Sequence, residues 1–516
     1  MSFRILLLSL ALALPLRAAD FKAKAEHVVL VVWDGMQPDF ITPETTPTLH
    51  ALAQSGTFFA RNHAAYITTT EVNGTAIATG CYASKTGIMA NREYRPDVNL
   101  AKLVDTQGAL PIRIGDALTG GRWVQRPTLA EIVQSTGHRT AVAGTKPIAL
   151  LHDRRFDRSA SHGSTVIFAG KTYPPTARDA IHSLLGKFPD YPAPELLEPN
   201  TAQNRWTARA LTESLWLEGV PRFSTMWLGD PDFSQHLTQP GSPTALAAIR
   251  NSDDNLALLL AALDGRGVRE KTDIFIVSDH GFSTGDRAID ILDLMKKSGF
   301  KAFREFKTTP QPGEILVSAL GGSCSFYVIG KDEKLIGKLV DWLQRSDLTG
   351  PIFTRNSHPG AGTLRDVRMD TATAPDVVFS FRWNATANKS GIHGQFTMDA
   401  RKPGYGSHGS MSPFDIRNTL VAAGPDIRAG LRSELPSGNV DVAPTILHLL
   451  GIPQPEPMDG RVLMEALAAV DWDAPKPVTK TTEITRKIDG KTWRQYLQHT
   501  TFADRIYLDE GNASLK

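Results

Sequence analysis

Two short strings carry the most chemistry in this chain: Asp279-His280-Gly281 and Asp232-Phe233-Ser234-Gln235-His236. Each sets a carboxylate beside or near an imidazole, and each follows an apolar, strand-like run, Ile274–Val277 in one case and Phe223–Leu228 in the other. A third such run, His27–Trp33, ends in Asp34-Gly35. Open α/β sheets bind ligands outside the carboxyl ends of their parallel strands, so the three ends point to one shared site. Neutral imidazole and carboxylate oxygen are good ligands for zinc and similar divalent ions, and there are more of them here than one ion needs.

A hydroxyl belongs to the same picture. The segment Tyr66–Gly74, with Thr68, Thr69 and Thr70, leads into a helix expected over Thr75–Thr79 and capped by Gly80. A hydroxyl just before a helix start lies beside unpaired N–H groups and the positive end of the helix dipole, a natural place for a phosphate-like anion. A threonine alkoxide needs a metal to form at neutral pH, which Asp34 and Asp279-His280 could hold. Three threonines in a row suit a strand edge or an N-cap equally well. Lys85, Asn91, Arg92 and Tyr94 follow this helix, and Asn91 is taken as a substrate contact. His393, between Gly391 and Gly394, reads as a loop residue.

The elements that must position these groups alternate between strand-like and helical runs, which predicts an α/β fold with a mainly parallel sheet flanked by helices on both faces. Strands are expected at 140–143, 225–228, 273–278 and 418–423, and helices at 242–263 and 440–450. Residues 20–281 and 405–470 form the expected core. The stretch 282–404 has its own strands (326–328 and 377–381) and a helix (332–346), and reads as an inserted cap subdomain. Pro475 and Pro477 mark a linker, so 471–516 reads as linker and peripheral C-terminal extension.

Motifs in a fixed order resemble the type I phosphodiesterase and nucleotide pyrophosphatase branch of the alkaline phosphatase superfamily. They are Asp34-Gly35; Thr70 and Asn73; Thr79-Gly80 with Thr86–Asn91; Pro231-Asp232 with His236; Ser278–Gly281; and Ser407–Ser410, followed by Asn439–Thr445, Gly451–Pro453 and Met458–Arg461. The resemblance implies an alkaline-phosphatase-like fold and two zinc ions per chain. Asp232, His236 and His408 would hold one ion, and Asp34, Asp279, His280 and the Thr70 hydroxyl the other. It implies cleavage of phosphodiester bonds, nucleotide pyrophosphates among them, through a phosphothreonine at Thr70. The Glu71 backbone N–H and the Asn73 amide would hold the remaining phosphoryl oxygens. Glycines at 406 and 409 would let His408 approach an ion.

One position departs from the family. The residue after the nucleophile, typically aromatic there, is Glu71. Either it faces the substrate and turns selectivity toward a cationic or hydroxyl-rich leaving group, or it points to solvent or pairs with Arg92 or Lys85. A phosphomonoesterase or phosphonoacetate-type hydrolase on the same scaffold is the alternative activity, and a binding protein with this fold that lost catalysis is the alternative class. The nucleophile position lacks the Cys/Ser-x-Pro-x-Arg setting of sulfatases.

Composition narrows the partners. The chain has 516 residues, 41% hydrophobic and 21% charged, with a net charge of +2. Nothing in that balance calls for a nucleic-acid polymer or a membrane surface, and a small phosphate ester is the expected partner. Arg4, the apolar run 5–16 and Ala18-Ala19 read as a signal peptide over 1–19, which implies a periplasmic or secreted protein without a transmembrane segment. The two cysteines, Cys81 and Cys324, are either one bridge or two buried thiols. Oligomeric state is not legible.

Overall fold

The computed structural model describes residues 23–159, 161–399, 402–468 and 470–516, so the expected signal peptide lies outside the described residues. Its centre is a ten-stranded sheet. In chain order the strands are β1 (His27–Trp33), β2 (Thr57–His63), β3 (Thr140–Gly144), β4 (Thr165–Phe168), β5 (Lys171–Tyr173), β6 (Phe223–Leu228), β7 (Thr272–Val277), β8 (Arg417–Asn418), β9 (Leu420–Ala423) and β10 (Leu431–Gly438). Strand β1 pairs in parallel with β6 and β7, β3 with β4 and β6, and β2 with β10. Only β5, β8 and β9 run against their neighbours. The fold is the expected α/β arrangement with a mainly parallel sheet.

The strands read as near-continuous apolar runs because both faces are covered, as parallel sheets require. Side chains alternate between those faces. From β1, Val28, Leu30 and Val32 pack on one side with Ile77 of helix α1 (Thr70–Thr79), Leu129 and Ile132 of α2 (Leu129–Ser135), and Ile446 from the 442–449 helix. Val29, Val31 and Trp33 face the other side, against Leu49, Trp206, Leu256 and Leu259. Fully burying each such aliphatic side chain contributes about 1.5–3 kcal/mol.

Two expected helices form close to their predicted bounds. One is Pro243–Asp264, where the Ser242 hydroxyl accepts from the Ala245 N–H at 3.1 Å and Pro243 fills the first turn. The other is Val442–Leu449. The expected strand 418–423 splits at Thr419, whose carbonyl leaves the ladder to accept the Ser278 N–H at 2.9 Å.

Residues between Ser283 and Ser407 build two further sheets. One pairs Ser283–Ile289 with His393–Asp399 and Gly406–Ser407; the other has six strands, including Ser323–Val328 and Val377–Phe381, under the helix Glu333–Gln344. The C-terminal residues form a three-stranded antiparallel sheet, Val478–Ile488, Lys491–Phe502 and Arg505–Leu515. It bridges the other layers. The buried Trp493 donates to the Gly360 carbonyl at 2.8 Å, and the Tyr507 hydroxyl donates to Asp441 Oδ2 at 2.8 Å. Cys81 and Cys324 are both buried, free thiols.

Candidate metal centre

Strands β1, β6 and β7 end level with one another: Trp33 lies opposite Leu228, and Val32 opposite Val277. The residues that follow therefore meet at one edge. Asp34 follows β1, Asp232 and His236 lie on the short helix Asp232–Leu237 after β6, and Asp279 and His280 follow β7. His408 follows the short strand Gly406–Ser407. Gly409 has φ of +101°, and a Cβ there would stand 2.2 Å from the Leu320 carbonyl oxygen, so only glycine lets this loop pass.

The three imidazoles are oriented alike. Nδ1 of His408 donates to the Thr68 carbonyl (2.7 Å), Nδ1 of His236 to Gly406 (3.1 Å) and Nδ1 of His280 to Gly281 (2.9 Å). A carbonyl only accepts, so Nδ1 carries the proton and each Nε2 presents a lone pair. Those lone pairs converge. His408 Nε2 lies 3.2 Å from His236 Nε2, and Asp232 Oδ1 lies 3.3 Å from both. His280 Nε2 lies 3.2 Å from Asp279 Oδ2, 3.8 Å from Asp34 Oδ1 and 3.4 Å from the Thr70 hydroxyl. Asp34 Oδ1, Asp232 Oδ1 and Asp279 Oδ2 are buried without a hydrogen-bond donor. Acceptors packed against acceptors repel unless a cation lies between them, so the donor set fits divalent metal.

Ligand atoms within 4.8 Å of one another form two groups, Asp232–His236–His408 and Asp34–Asp232–His280. The first matches the expected set. The second differs: Asp232 joins it, and Asp279 stands just outside, at His280. The expected division assigned each aspartate to one ion, whereas helical geometry at Asp232 puts its carboxylate between the groups.

Burial pushes the Asp34 carboxyl well above the usual carboxylate range, helped by the neighbouring Asp279. Burial likewise pushes Asp279 up to about 7. Asp232 goes the other way: burial opposes its charge, but the Lys146 ammonium holds it well below the usual range. Burial, with His408 beside it, drives His280 far down, so its ring is the neutral, ligating form.

Several residues were invisible to motif reasoning. Lys146 follows β3 and places Nζ 2.9 Å from Asp34 Oδ2 and 3.0 Å from Asp232 Oδ2. The Trp227 indole N–H also donates to Asp34 Oδ2, at 2.9 Å. Asp415 braces the His408 loop by accepting from the Ser410 N–H (2.9 Å) and hydroxyl (2.6 Å). Lys146 sits at a strand's carboxyl end, the same signal that located the aspartates.

Three expectations about the nucleophile segment change. The helix starts at Thr70, not Thr75, so the hydroxyl lies on its first turn. The Asn73 amide does not face a ligand. Its nitrogen donates to the carbonyls of Ala65 (3.0 Å), Thr69 (3.2 Å) and Ile67 (3.4 Å), and its oxygen accepts from the Ala65 N–H at 2.7 Å, so it holds the loop that presents Thr70. Glu71 neither reaches solvent nor pairs with Lys85, which bonds Asp459 instead at 2.7 Å. Both Glu71 carboxylate oxygens are buried without a donor, and burial pushes the group up to about 8 against the pull of Lys146. Asn91 Oδ1 is also buried without a partner. His393 is exposed, bonds the Ala385 carbonyl and lies outside the cluster.

The chain is similar to known proteins over most of its length. The family model described as type I phosphodiesterase / nucleotide pyrophosphatase matches residues 28–342, and a sulfatase family model matches 243–452. The human ectonucleotide pyrophosphatase/phosphodiesterase family member 7 is 24% identical over 84% of this chain and 82% of its own. A mouse bis(5'-adenosyl)-triphosphatase is 21% identical over 87% of this chain and 82% of its own. Among solved structures, murine ectonucleotide pyrophosphatase/phosphodiesterase 5 superposes with a TM-score of 0.57 at 16% identity, covering 86% of this chain and 100% of that one. An inactive threonine-to-alanine form of it in complex with AMP gives the same TM-score, 0.57.

Proposed function

The chain belongs to the type I phosphodiesterase / nucleotide pyrophosphatase family of the alkaline phosphatase superfamily and is a phosphoric ester hydrolase; from that premise we propose that it cleaves small phosphodiesters, nucleotide pyrophosphates among them, at a two-zinc site with Thr70 as nucleophile. The observation that carries the reading is the convergence of three Nε2 lone pairs and three donorless carboxylate oxygens beside the Thr70 hydroxyl.

Asp232, His236 and His408 would hold one zinc, and Asp34 and His280 the other, with Asp232 between the two and Asp279 beside His280. When bound there, zinc neutralises phosphoryl charge and makes a hydroxyl acidic enough to react at neutral pH. The chain's own residues do the rest. Thr70 Oγ1 attacks phosphorus, the P–O bond to the leaving group breaks as the bond to Thr70 forms, and the proton that Thr70 gives up ends, through solvent, on the departing oxygen. A water then displaces Thr70, which regains a proton, and the phosphate or its monoester departs. The unpaired N–H groups of the first turn of α1, including that of Glu71, face the anion. Asn73 fixes the approach of this turn from behind, and Asn91 offers a side-chain contact to the substrate. Buried and pushed up to about 8, Glu71 is protonated at neutral pH and would select against an additional anionic group near the nucleophile only above that pH.

Relatives bear on the substrate size: one structure holds AMP, and one relative is named for a dinucleoside triphosphate. A nucleotide-sized ester fits this reading better than a nucleic-acid polymer. The relatives named as ectoenzymes support export of this chain by the segment 1–19, and no helix among the described residues is long and apolar enough to cross a membrane. The test is turnover of bis-p-nitrophenyl phosphate by the wild type and by Thr70→Ala. Zinc-dependent turnover lost in the variant supports the reading; equal turnover by both overturns it.

A further inference from the structure

Lys146 is the cation that bridges the two candidate ligand groups. Its Nζ holds the outer oxygen of Asp34 at 2.9 Å and that of Asp232 at 3.0 Å, while the inner oxygen of each carboxylate faces the imidazole cluster. The Lys146 side chain is 22% exposed, against 0% for Asp34 and 6% for Asp232. An ammonium has three N–H donors. Nζ donates to Asp232 and forms an ion pair with Asp34, which leaves at least one N–H for a further acceptor. Glu71 forms no ion pair with it; both its carboxylate oxygens lack a donor. The loop is rigid: the Tyr191 hydroxyl donates to the Thr145 carbonyl at 2.6 Å, and the Thr145 hydroxyl donates to Asn204 Oδ1 at 3.0 Å.

The charge count gives this lysine a use, and the argument rests on the two-zinc reading above. Two divalent ions against the carboxylates of Asp34, Asp232 and Asp279 leave one positive charge, enough for a phosphodiester monoanion. Lys146 raises that to the charge that balances a dianion. We infer that Lys146 is a substrate-binding cation that extends the enzyme's range to dianionic phosphoryl groups, phosphate monoesters and phosphonates, by bonding the additional anionic oxygen. Charge-assisted hydrogen bonds of this kind are worth roughly ten- to a hundredfold in binding.

The experiment uses zinc-loaded Thr70→Ala protein, its zinc content measured, and titrates it calorimetrically with phenylphosphonate, a dianion, and methyl phenylphosphonate, a monoanion. Adding Lys146→Met should weaken the dianion roughly tenfold or more and the monoanion by much less, and Lys146→Arg should restore most of the dianion affinity. In the Thr70 enzyme the same Lys146→Met change should lower kcat/KM for p-nitrophenyl phosphate about tenfold further than for bis-p-nitrophenyl phosphate. Equal weakening of both probes means that Lys146 only positions Asp34 and Asp232, and overturns the inference. So does no change in either. Failure of Thr70→Ala itself to bind either probe overturns the phosphoryl-transfer reading and takes this inference with it.

Discussion

Gly74→Ala tests whether the packing of the nucleophile helix sets the reaction rate. Gly74 lies in the middle of α1, one turn from Thr70. A methyl group there would stand 2.8 Å from Ile148 Cδ1, 2.9 Å from Ile148 Cγ1 and 3.2 Å from Trp227 Cη2. Carbon atoms rest about 3.5–4.0 Å apart, so a deficit of roughly 1 Å must be absorbed. Ile148 and Trp227 are both 0% exposed and cannot swing aside cheaply. Overpacking costs about 1–3 kcal/mol, and the better helix propensity of alanine returns about 1 kcal/mol. The net stability loss is therefore about 0–2 kcal/mol, small for a chain of this size. The same displacement moves the Thr70 hydroxyl, and a 1 Å error at a reacting atom costs about a hundredfold in rate. Denaturant unfolding and kcat/KM on bis-p-nitrophenyl phosphate, measured on the same preparations, should thus diverge: a minor stability change with a roughly 10- to 100-fold drop in turnover. Ile148→Ala removes the clashing atoms, so the double variant should recover activity relative to Gly74→Ala alone. Wild-type turnover by Gly74→Ala, or no coupling between the two positions, would refute the reasoning.

Other consequences follow from the same contacts. Burial pushes the His152 imidazole down to about 4, with Trp227 edge-on at 5.4 Å. The unfolded chain therefore takes up this proton first, so the stability His152 contributes is present above about pH 6.5 and is lost as pH falls toward 4, about 2 kcal/mol of it by pH 5. Unfolding curves at pH 7 and pH 5 should show that loss, and His152→Leu should shrink it. Tyr507→Phe removes the hydroxyl that donates to Asp441 at 2.8 Å and accepts from Arg461 Nε at 3.1 Å. That costs about 1.5–3 kcal/mol if the C-terminal sheet is integral to the fold, and an unchanged denaturation midpoint would show that it is not. Glu71→Gln keeps the shape and cannot ionise; because burial pushes Glu71 up to about 8, the variant should match the wild type at pH 7 and favour dianionic over monoanionic substrates only above pH 8, and an unchanged preference at pH 9 removes Glu71 from selectivity.

The ends of the apolar runs were legible because a β-branched run that stops at Asp or His has few other meanings. Asp34, Asp232, His236, Asp279 and His280 come together for that reason, and the strands carrying them form within a few residues of their expected bounds. What the chain hid was the use of individual groups. Asn73 in a Thr-x-x-Asn string looks the same whether it faces a phosphate or braces the loop before it, and only the positions of Ala65, Ile67 and Thr69 decide. Gly74 reads as the end of the segment before the helix, yet it lies inside the helix, at the place where Ile148 and Trp227 press on it. Lys146 carries no motif; it acquires a role only when β3 is set beside β6. The last forty residues alternate polar and apolar with few long apolar runs, and their sheet is held by single anchors, Trp493, Phe502 and Tyr507, that packing reveals and periodicity does not.

The most direct test of the whole account is the metal content of the purified protein, compared between the wild type and Asp232→Asn. Asp232 lies between both ligand groups, with Oδ1 3.3 Å from each of the His236 and His408 Nε2 atoms. The wild type should carry about two zinc ions per chain, as a di-zinc hydrolase requires, and lose turnover when they are chelated. Asp232→Asn should carry about one or none and be inactive. Full turnover by wild-type protein stripped of zinc, or undiminished zinc in Asp232→Asn, would contradict the account.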